Sequence, residues 1–215
     1  MDLPVFVFLR ILCLPRVLIA GRELAPTEYT GALIIAADSG YRTALKCGVT
    51  PHIIAGDFDS SPMPEETPAQ IIRVPSEKDD TDTMLACDIA IRHGARNITI
   101  LGGTGGRIDH SLSNLFLLEK LKRDGVSAIL CDGDNRARVL SDETVHLSPE
   151  GFRYFSLIAL DRATASVSGC KYPLSEAPLH RAHPYAVSNE IVGQGAEITV
   201  SGGPVLLIES GVSPI

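Results

Sequence analysis

Carboxylates gather in this chain at spacings that suit a hard cation. Gly56-Asp57-Phe58-Asp59-Ser60 follows an apolar run, and Lys78-Asp79-Asp80-Thr81-Asp82 opens a helix-like segment. From Asp57 to Asp82 eight acids stand against two bases. Two carboxylates ~4 Å apart repel by about 4 kcal/mol at an effective dielectric of ~20. If folding brings the two groups together, the site must hold a divalent ion or protons. Mg²⁺ fits an all-oxygen donor set and is typically shared between carboxylates and substrate phosphates. Asp57, Asp59, Asp79 and Asp82 are therefore the candidate metal ligands and the centre of the candidate catalytic set. Lys78 is a candidate phosphate contact, with a free surface lysine as the plain alternative.

A glycine turn adds a place for phosphate. Asn97–Leu101 reads as a strand, followed by Gly102-Gly103-Thr104-Gly105-Gly106 and then Arg107-Ile108-Asp109-His110. Glycines let backbone amides approach phosphate oxygens closely, which makes Gly103, Thr104, Gly105 and Gly106 candidate nucleotide contacts. The turn is neither GxGxxG nor a Walker A loop, so those mechanisms are not licensed. Arg107 can clamp a phosphate and joins the catalytic set. Asp109 can orient that arginine or bind metal, and His110 can hydrogen-bond phosphate or cap a helix. Each motif alone also fits plain structure: aspartates are common in turns, and an acidic first turn suits a helix dipole.

These residues need elements to hold them. Short β-branched runs at Val17–Ala20, Leu33–Ala37, His52–Ala55, Ile71–Val74, Asn97–Leu101 and Ser127–Cys131 alternate with helical stretches at Gly40–Lys46, Thr81–His93 and Ser111–Arg123. In the last two, apolar residues recur at helical spacing. Strand–helix alternation with nearly all-apolar strands predicts an α/β fold, a mostly parallel sheet flanked by helices. Ligands of such sheets bind outside the carboxyl ends of the strands, so motifs that directly follow strands share one rim. After about residue 134 the runs are short, alternating and separated by glycine, proline or serine, which predicts an all-β sandwich. The expected domains are 1–133, nucleotide-binding and catalytic, and 134–215. Residues 1–15 are expected to form an extra strand or an atypical N-terminal arm, and the first core strand is expected at Arg16–Ala20.

Composition narrows the function. At 45% hydrophobic and 21% charged residues the chain is globular. A net charge of −7 argues against a nucleic-acid binder. Five cysteines without a CxxC pair or a zinc spacing read as reduced thiols of a cytoplasmic protein. The apolar N-terminus carries Asp2, Arg10 and Arg16. It has neither a basic n-region nor an uninterrupted span of ~20 residues, so neither a signal peptide nor a membrane span is expected.

The ordered series of motifs resembles the thiamin pyrophosphokinase family in its bacterial form, from about residue 17 to residue 209. It comprises Ala37-Asp38-Ser39-Gly40, the Asp57 and Asp82 motifs, Gly102–His110 with Asn114, Gly169-Cys170-Lys171-Tyr172-Pro173-Leu174, and Ser188-Asn189-Glu190. The resemblance implies transfer of pyrophosphate from ATP, the co-substrate, to the hydroxyl of thiamin, giving thiamin diphosphate and AMP. It also implies an Mg²⁺-dependent homodimer, with nucleotide on the α/β domain and thiamin near the junction with the β domain, the partner chain contributing. On this sequence Asp57, Asp59, Asp79 and Asp82 become the metal and phosphate cluster, while Arg107, Asp109 and His110 line the phosphates. Ser188 and Asn189 become thiamin contacts, and Asp38 a further member of the site. Two features depart from the family pattern: the arm 1–15, and the absence of tryptophan, which removes an indole as a stacking partner for thiamin. Two other functions compete. Asp57-Phe58-Asp59-Ser60-Ser61 matches the DxDx[ST] nucleophile motif of haloacid-dehalogenase-type phosphatases, but lies about 55 residues into the chain and leaves the glycine turn and β domain unexplained. A nucleotide or thiamin sensor without turnover is the non-enzymatic alternative.

Overall fold

Apolar β-branched runs become parallel strands when helices cover both faces of the sheet they form. The computed structural model describes residues 5–8, 18–19, 22–23, 31–58, 62–75, 80–104, 107–133, 135–149 and 151–212. In chain order the first elements are β1 (Val5–Phe8), β2 (Leu18–Ile19), β3 (Arg22–Glu23), β4 (Leu33–Ala37), α1 (Gly40–Lys46), β5 (Ile53–Gly56) and β6 (Gln70–Arg73). Then come α2 (Asp82–Arg92), β7 (Asn97–Leu101), α3 (Ile108–Arg123) and β8 (Ser127–Cys131). The chain divides into two compact units, Met1–Leu18 with Glu23–Asp132 and Ile19–Arg22 with Gly133–Ile215.

In the first unit the strands run in the order β8-β7-β1-β4-β5-β6, and every neighbouring pair is parallel. The strand interiors are apolar and closed to solvent, as at Ile35, Ile54, Ile98, Ile100 and Leu130. Helix α2 starts at Thr81, whose hydroxyl accepts from the Met84 N–H at 3.2 Å. Its Ala86, Cys87, Ile89 and Ala90 are buried, and it packs on β1, β4 and β5. Helix α3 packs on β8 and begins three residues earlier than the apolar periodicity predicts, because Arg107 takes the extended N-cap conformation. Asp109 and His110 therefore sit in its first turn.

The N-terminal expectation needs correction. The first core strand is Val5–Phe8, inside the segment expected to be an extra strand or arm, and not Arg16–Ala20. It pairs with β4 on one side and β7 on the other, with Val7 opposite both Ile35 and Ile100. Within Arg16–Ala20 only the two-residue β2 is a described element, paired with β3. Val-Phe-Val-Phe is an unbroken run of β-formers, Val5 and Val7 are buried, and strands on both sides accept it.

The second unit holds β9 (Asn135–Leu140), β10 (Glu143–Leu147), β11 (Phe152–Ala159), β12 (Arg162–Ser168), β13 (Leu174–His180), β14 (Asn189–Glu190), β15 (Ala196–Ser201) and β16 (Val205–Val212). All its pairings are antiparallel, in the orders β14-β11-β16-β9 and β10-β15-β12-β13. Alternate residues from both sets meet in one core, among them Leu140, Phe155, Leu157 and Leu207 against Ala165, Val167, Ile198 and Val200. No described helix in the chain is long and apolar enough to cross a membrane.

Candidate functional site

Because the strands of the first unit are parallel, their carboxyl ends share one rim. Asp38 follows β4 and Asp57 follows β5, on neighbouring strands with Ala37 opposite Ala55. The Asp38 N–H donates to the Ala55 carbonyl at 2.8 Å. Both chains then leave the extended form, with φ of +43° at Asp38 and +60° at Phe58. Gly56 lies against Asp38: a Cβ built on it would stand 3.0 Å from the Asp38 Cα and 3.3 Å from its Cβ. Asp82 is the first residue of α2, behind the Thr81 cap. Asp59, Asp79 and Lys78 lie outside the described residues, as do Gly105 and Gly106.

The glycine turn follows β7. Gly102 and Gly103 take φ of +86° and +89°, the left-handed backbone that glycine tolerates. Three fastenings hold it. The Gly102 N–H donates to the Cys131 carbonyl at 2.7 Å. The Asn114 side-chain amide, buried on α3, donates to the Gly103 carbonyl at 2.8 Å. The Thr104 hydroxyl donates to the carboxylate of Asp132.

Arg107 and Asp109 form a two-point ion pair, Nε to Oδ1 at 3.1 Å and Nη2 to Oδ2 at 2.6 Å, in the open. The Asp109 Oδ1 also accepts from the His110 N–H at 3.0 Å. The Arg107 hydrogen bond holds the Asp109 carboxyl down at about 2, and the same bond raises Arg107. The pair fixes the guanidinium against the Asp109 carboxylate. His110 is exposed on the first turn of α3.

In the second unit Ser188 and Asn189 diverge. Ser188 is exposed with φ +56°, and its N–H donates to the Ser156 hydroxyl at 3.0 Å. Asn189 is 7% exposed and its amide is committed inward. Oδ1 accepts from the N–H of Tyr172 and of Glu190, each at 3.0 Å, and Nδ2 donates to the Tyr172 carbonyl at 2.8 Å. The residue latches the Gly169–Leu174 segment. Tyr172, held by that latch, is 57% exposed. The Lys171 ammonium lies 5.5 Å from its ring centroid and 2.8 Å from Glu190.

All the described acids of the rim offer oxygen donors, which suits a hard cation. Among the described residues no three His, Cys, Asp or Glu side chains group as a metal site. A cation at this rim would need part of its coordination from elsewhere, as Mg²⁺ commonly takes from substrate phosphates. Sequence reasoning passed over Asp132 and kept Asn114 and Tyr172 only as motif members. The signal for Asp132 was available, since it follows a strand as Asp38 and Asp57 do.

The family described as "Thiamin pyrophosphokinase, catalytic domain" matches residues 29–130, and "Thiamin pyrophosphokinase, vitamin B1 binding domain" matches residues 142–205. The chain is 32% identical over 194 residues to the thiamine pyrophosphokinase of Bacillus subtilis (strain 168), covering 86% of this chain and 91% of that one. The crystal structure of thiamine pyrophosphokinase from Bacillus subtilis superposes with a TM-score of 0.80 at 25% identity, covering 98% of this chain and 99% of that one. A thiamin pyrophosphokinase family protein from Enterococcus faecalis gives 0.80 at 26% identity, covering 99% of this chain and all of that one.

Proposed function

The chain belongs to the thiamin pyrophosphokinase family, and from that premise we infer how its residues divide the work. The activity is ATP-dependent formation of thiamin diphosphate, with pyrophosphate passing from ATP to the thiamin hydroxyl. The observation that carries this reading is the match of both parts of the chain, catalytic and vitamin B1 binding, to one family.

The nucleotide binds at the rim of the first unit. The thiamin hydroxyl attacks the β-phosphorus and AMP leaves in line. Such transfers depend on positioning and charge neutralisation more than on covalent help. The amides of the Gly102–Gly106 turn and the Arg107 guanidinium take phosphate oxygens, and Arg107 offsets charge developing on the transferred group. Asp109 holds Arg107 in aim, and His110 and Lys78 are further phosphate contacts. Asp57 and Asp82, with Asp59 and Asp79, would hold Mg²⁺, which supplies charge neutralisation to the phosphates when bound. Asp38, beside Gly56, belongs to the same carboxylate group.

Thiamin binds through the second unit. Ser188 contacts the substrate directly, and Asn189 acts by holding the Tyr172 segment. With no tryptophan in the chain, Tyr172 is the aromatic face for the thiamin ring, suited to a cationic thiazolium. The working protein is a homodimer. Ile108, Leu112 and Phe116 repeat every four residues along one side of α3 and are 77%, 46% and 54% exposed. A stripe of this kind marks a contact surface, here for a second copy of the chain. Free thiols at Cys47, Cys87, Cys131 and Cys170 suit a cytoplasmic enzyme.

The test is AMP production by the purified protein with ATP, Mg²⁺ and thiamin. AMP formed in proportion to thiamin diphosphate supports the reading. A trapped phospho-aspartate at Asp57, or ATP persisting under saturating thiamin, would replace it with the phosphatase or the sensor.

A further inference from the structure

The edge between β11 and β14 is irregular at one residue. Tyr154 pairs with Glu190 and Phe155 with Asn189, a register that would set Leu157 against Val187. The Leu157 N–H donates instead to the Ala186 carbonyl at 2.7 Å. One extra residue is therefore taken up on the β14 side, a β-bulge, and Ser188 within it has a φ of +56°. The Ser188 N–H donates to the Ser156 hydroxyl at 3.0 Å. Phe155 and Leu157 enter the core, so alternation along β11 sends the Ser156 side chain to the opposite face of the sheet.

The same device occurs between β12 and β13. Glu176 has a φ of +45°, its N–H donates to the Ser166 hydroxyl at 2.9 Å, and the register of β12 shifts between Ala165 and Val167. A side chain at such a φ carries strain that glycine avoids, and it persists only where the surroundings hold it. In both bulges a serine hydroxyl on the neighbouring strand is the hold. Ser188 differs in its setting. It is exposed, and it directly precedes Asn189, whose side chain holds both backbone groups of Tyr172.

We propose that Ser156 is a positioning residue for thiamin: its hydroxyl fixes Ser188 in the left-handed bulge from which the Ser188 side chain meets the substrate. The inference rests on the reading above that Ser188 contacts thiamin, and adds what aims it. A serine oxygen has two lone pairs, and the Ser188 N–H takes one of those on Ser156. Alanine at 156 offers none. The bulge then samples other backbone conformations, and apparent affinity falls with the fraction of protein poised to bind. The effect falls on thiamin alone, because no phosphate contact is touched.

Thiamin and AMP binding are measured by calorimetry, with thiamin-dependent turnover and thermal melting alongside. Ser156→Ala should raise the Kd and KM for thiamin about two- to tenfold, the worth of one neutral hydrogen bond, with kcat and AMP binding unchanged. Ser156→Thr keeps the acceptor and should restore both constants. In a Ser188→Gly background the left-handed backbone is unstrained and no side chain remains to aim, so adding Ser156→Ala should change thiamin binding by less than about twofold. Ser166→Ala removes the same tie from Glu176 and should leave thiamin affinity unchanged. A folded Ser156→Ala protein with wild-type thiamin affinity overturns the proposal. So does an undiminished effect of Ser156→Ala on top of Ser188→Gly, or an equal loss of thiamin affinity in Ser166→Ala. Turnover with a thiamin KM indifferent to Ser156→Ala sinks this inference alone, whereas thiamin binding that follows the expected pattern without turnover supports it and counts against the catalytic reading.

Discussion

Gly56→Ala tests the carboxylate rim without touching any group that does chemistry. Gly56 ends β5 and is buried; the methyl would meet the Asp38 Cα at 3.0 Å and its Cβ and N at 3.3 Å. Carbon atoms pack comfortably at about 3.5–4.0 Å, so Asp38 and Asp57 must separate by about half an ångström. Neighbouring strands pinned by the Asp38 N–H to Ala55 bond resist that movement, and overpacking of this kind typically costs about 1–3 kcal/mol of stability. A misplacement of ~1 Å at a reacting centre costs about 100-fold; half of it predicts roughly a tenfold fall in kcat. The assay is thiamin-dependent AMP production across a Mg²⁺ titration, with thermal melting run alongside. The expected result is a folded protein with a lower melting temperature, a tenfold lower kcat and a right-shifted Mg²⁺ curve. The KM for thiamin should stay put. A folded Gly56→Ala enzyme with wild-type kcat and Mg²⁺ dependence would show that the spacing of Asp38 and Asp57 does not matter to the reaction.

Three other outcomes are expected. Asn189→Ala removes three good internal hydrogen bonds, a loss of about 1.5–4.5 kcal/mol at ~0.5–1.5 each; denaturant titration should show it, the KM for thiamin should rise and AMP affinity should stay unchanged, whereas unaltered thiamin affinity would argue against a latch on Tyr172. The Asp109 carboxyl should titrate near 2 by carbon NMR rather than at the ordinary 3.8. A depressed carboxyl adds its stabilisation above the unfolded value and loses it as pH falls through the folded one, so the ion pair persists at neutral pH and is lost between about 4 and about 2; Arg107→Ala should return the midpoint toward 3.8, and a midpoint that ignores this change refutes the pairing. Phe116→Glu, at an exposed position of α3, should convert a dimer to a monomer in light scattering, and an unchanged dimer removes the stripe from the interface.

The sequence alone determined the features whose physics is local. A strand run followed by Asp38, Asp57 or the Gly102–Thr104 turn places those residues at strand ends whatever else the chain does, and the α2 cap at Thr81 is written in its neighbours. The ion pair of Arg107 with Asp109 is likewise only two residues long. What the tertiary structure decided are choices between distant segments. Val5–Phe8 won the central place because strands on both sides accept it, a competition that no window around Arg16–Ala20 reveals. Thr104 found Asp132 across 28 residues, and Asn189 turned inward to Tyr172 across 17. Such pairings follow from register, which the hydrophobic pattern and turns of the whole sheet set together. Residue type marks which side chains are capable of chemistry, and only the packed strands decide which of them face a ligand and which hold the others in place.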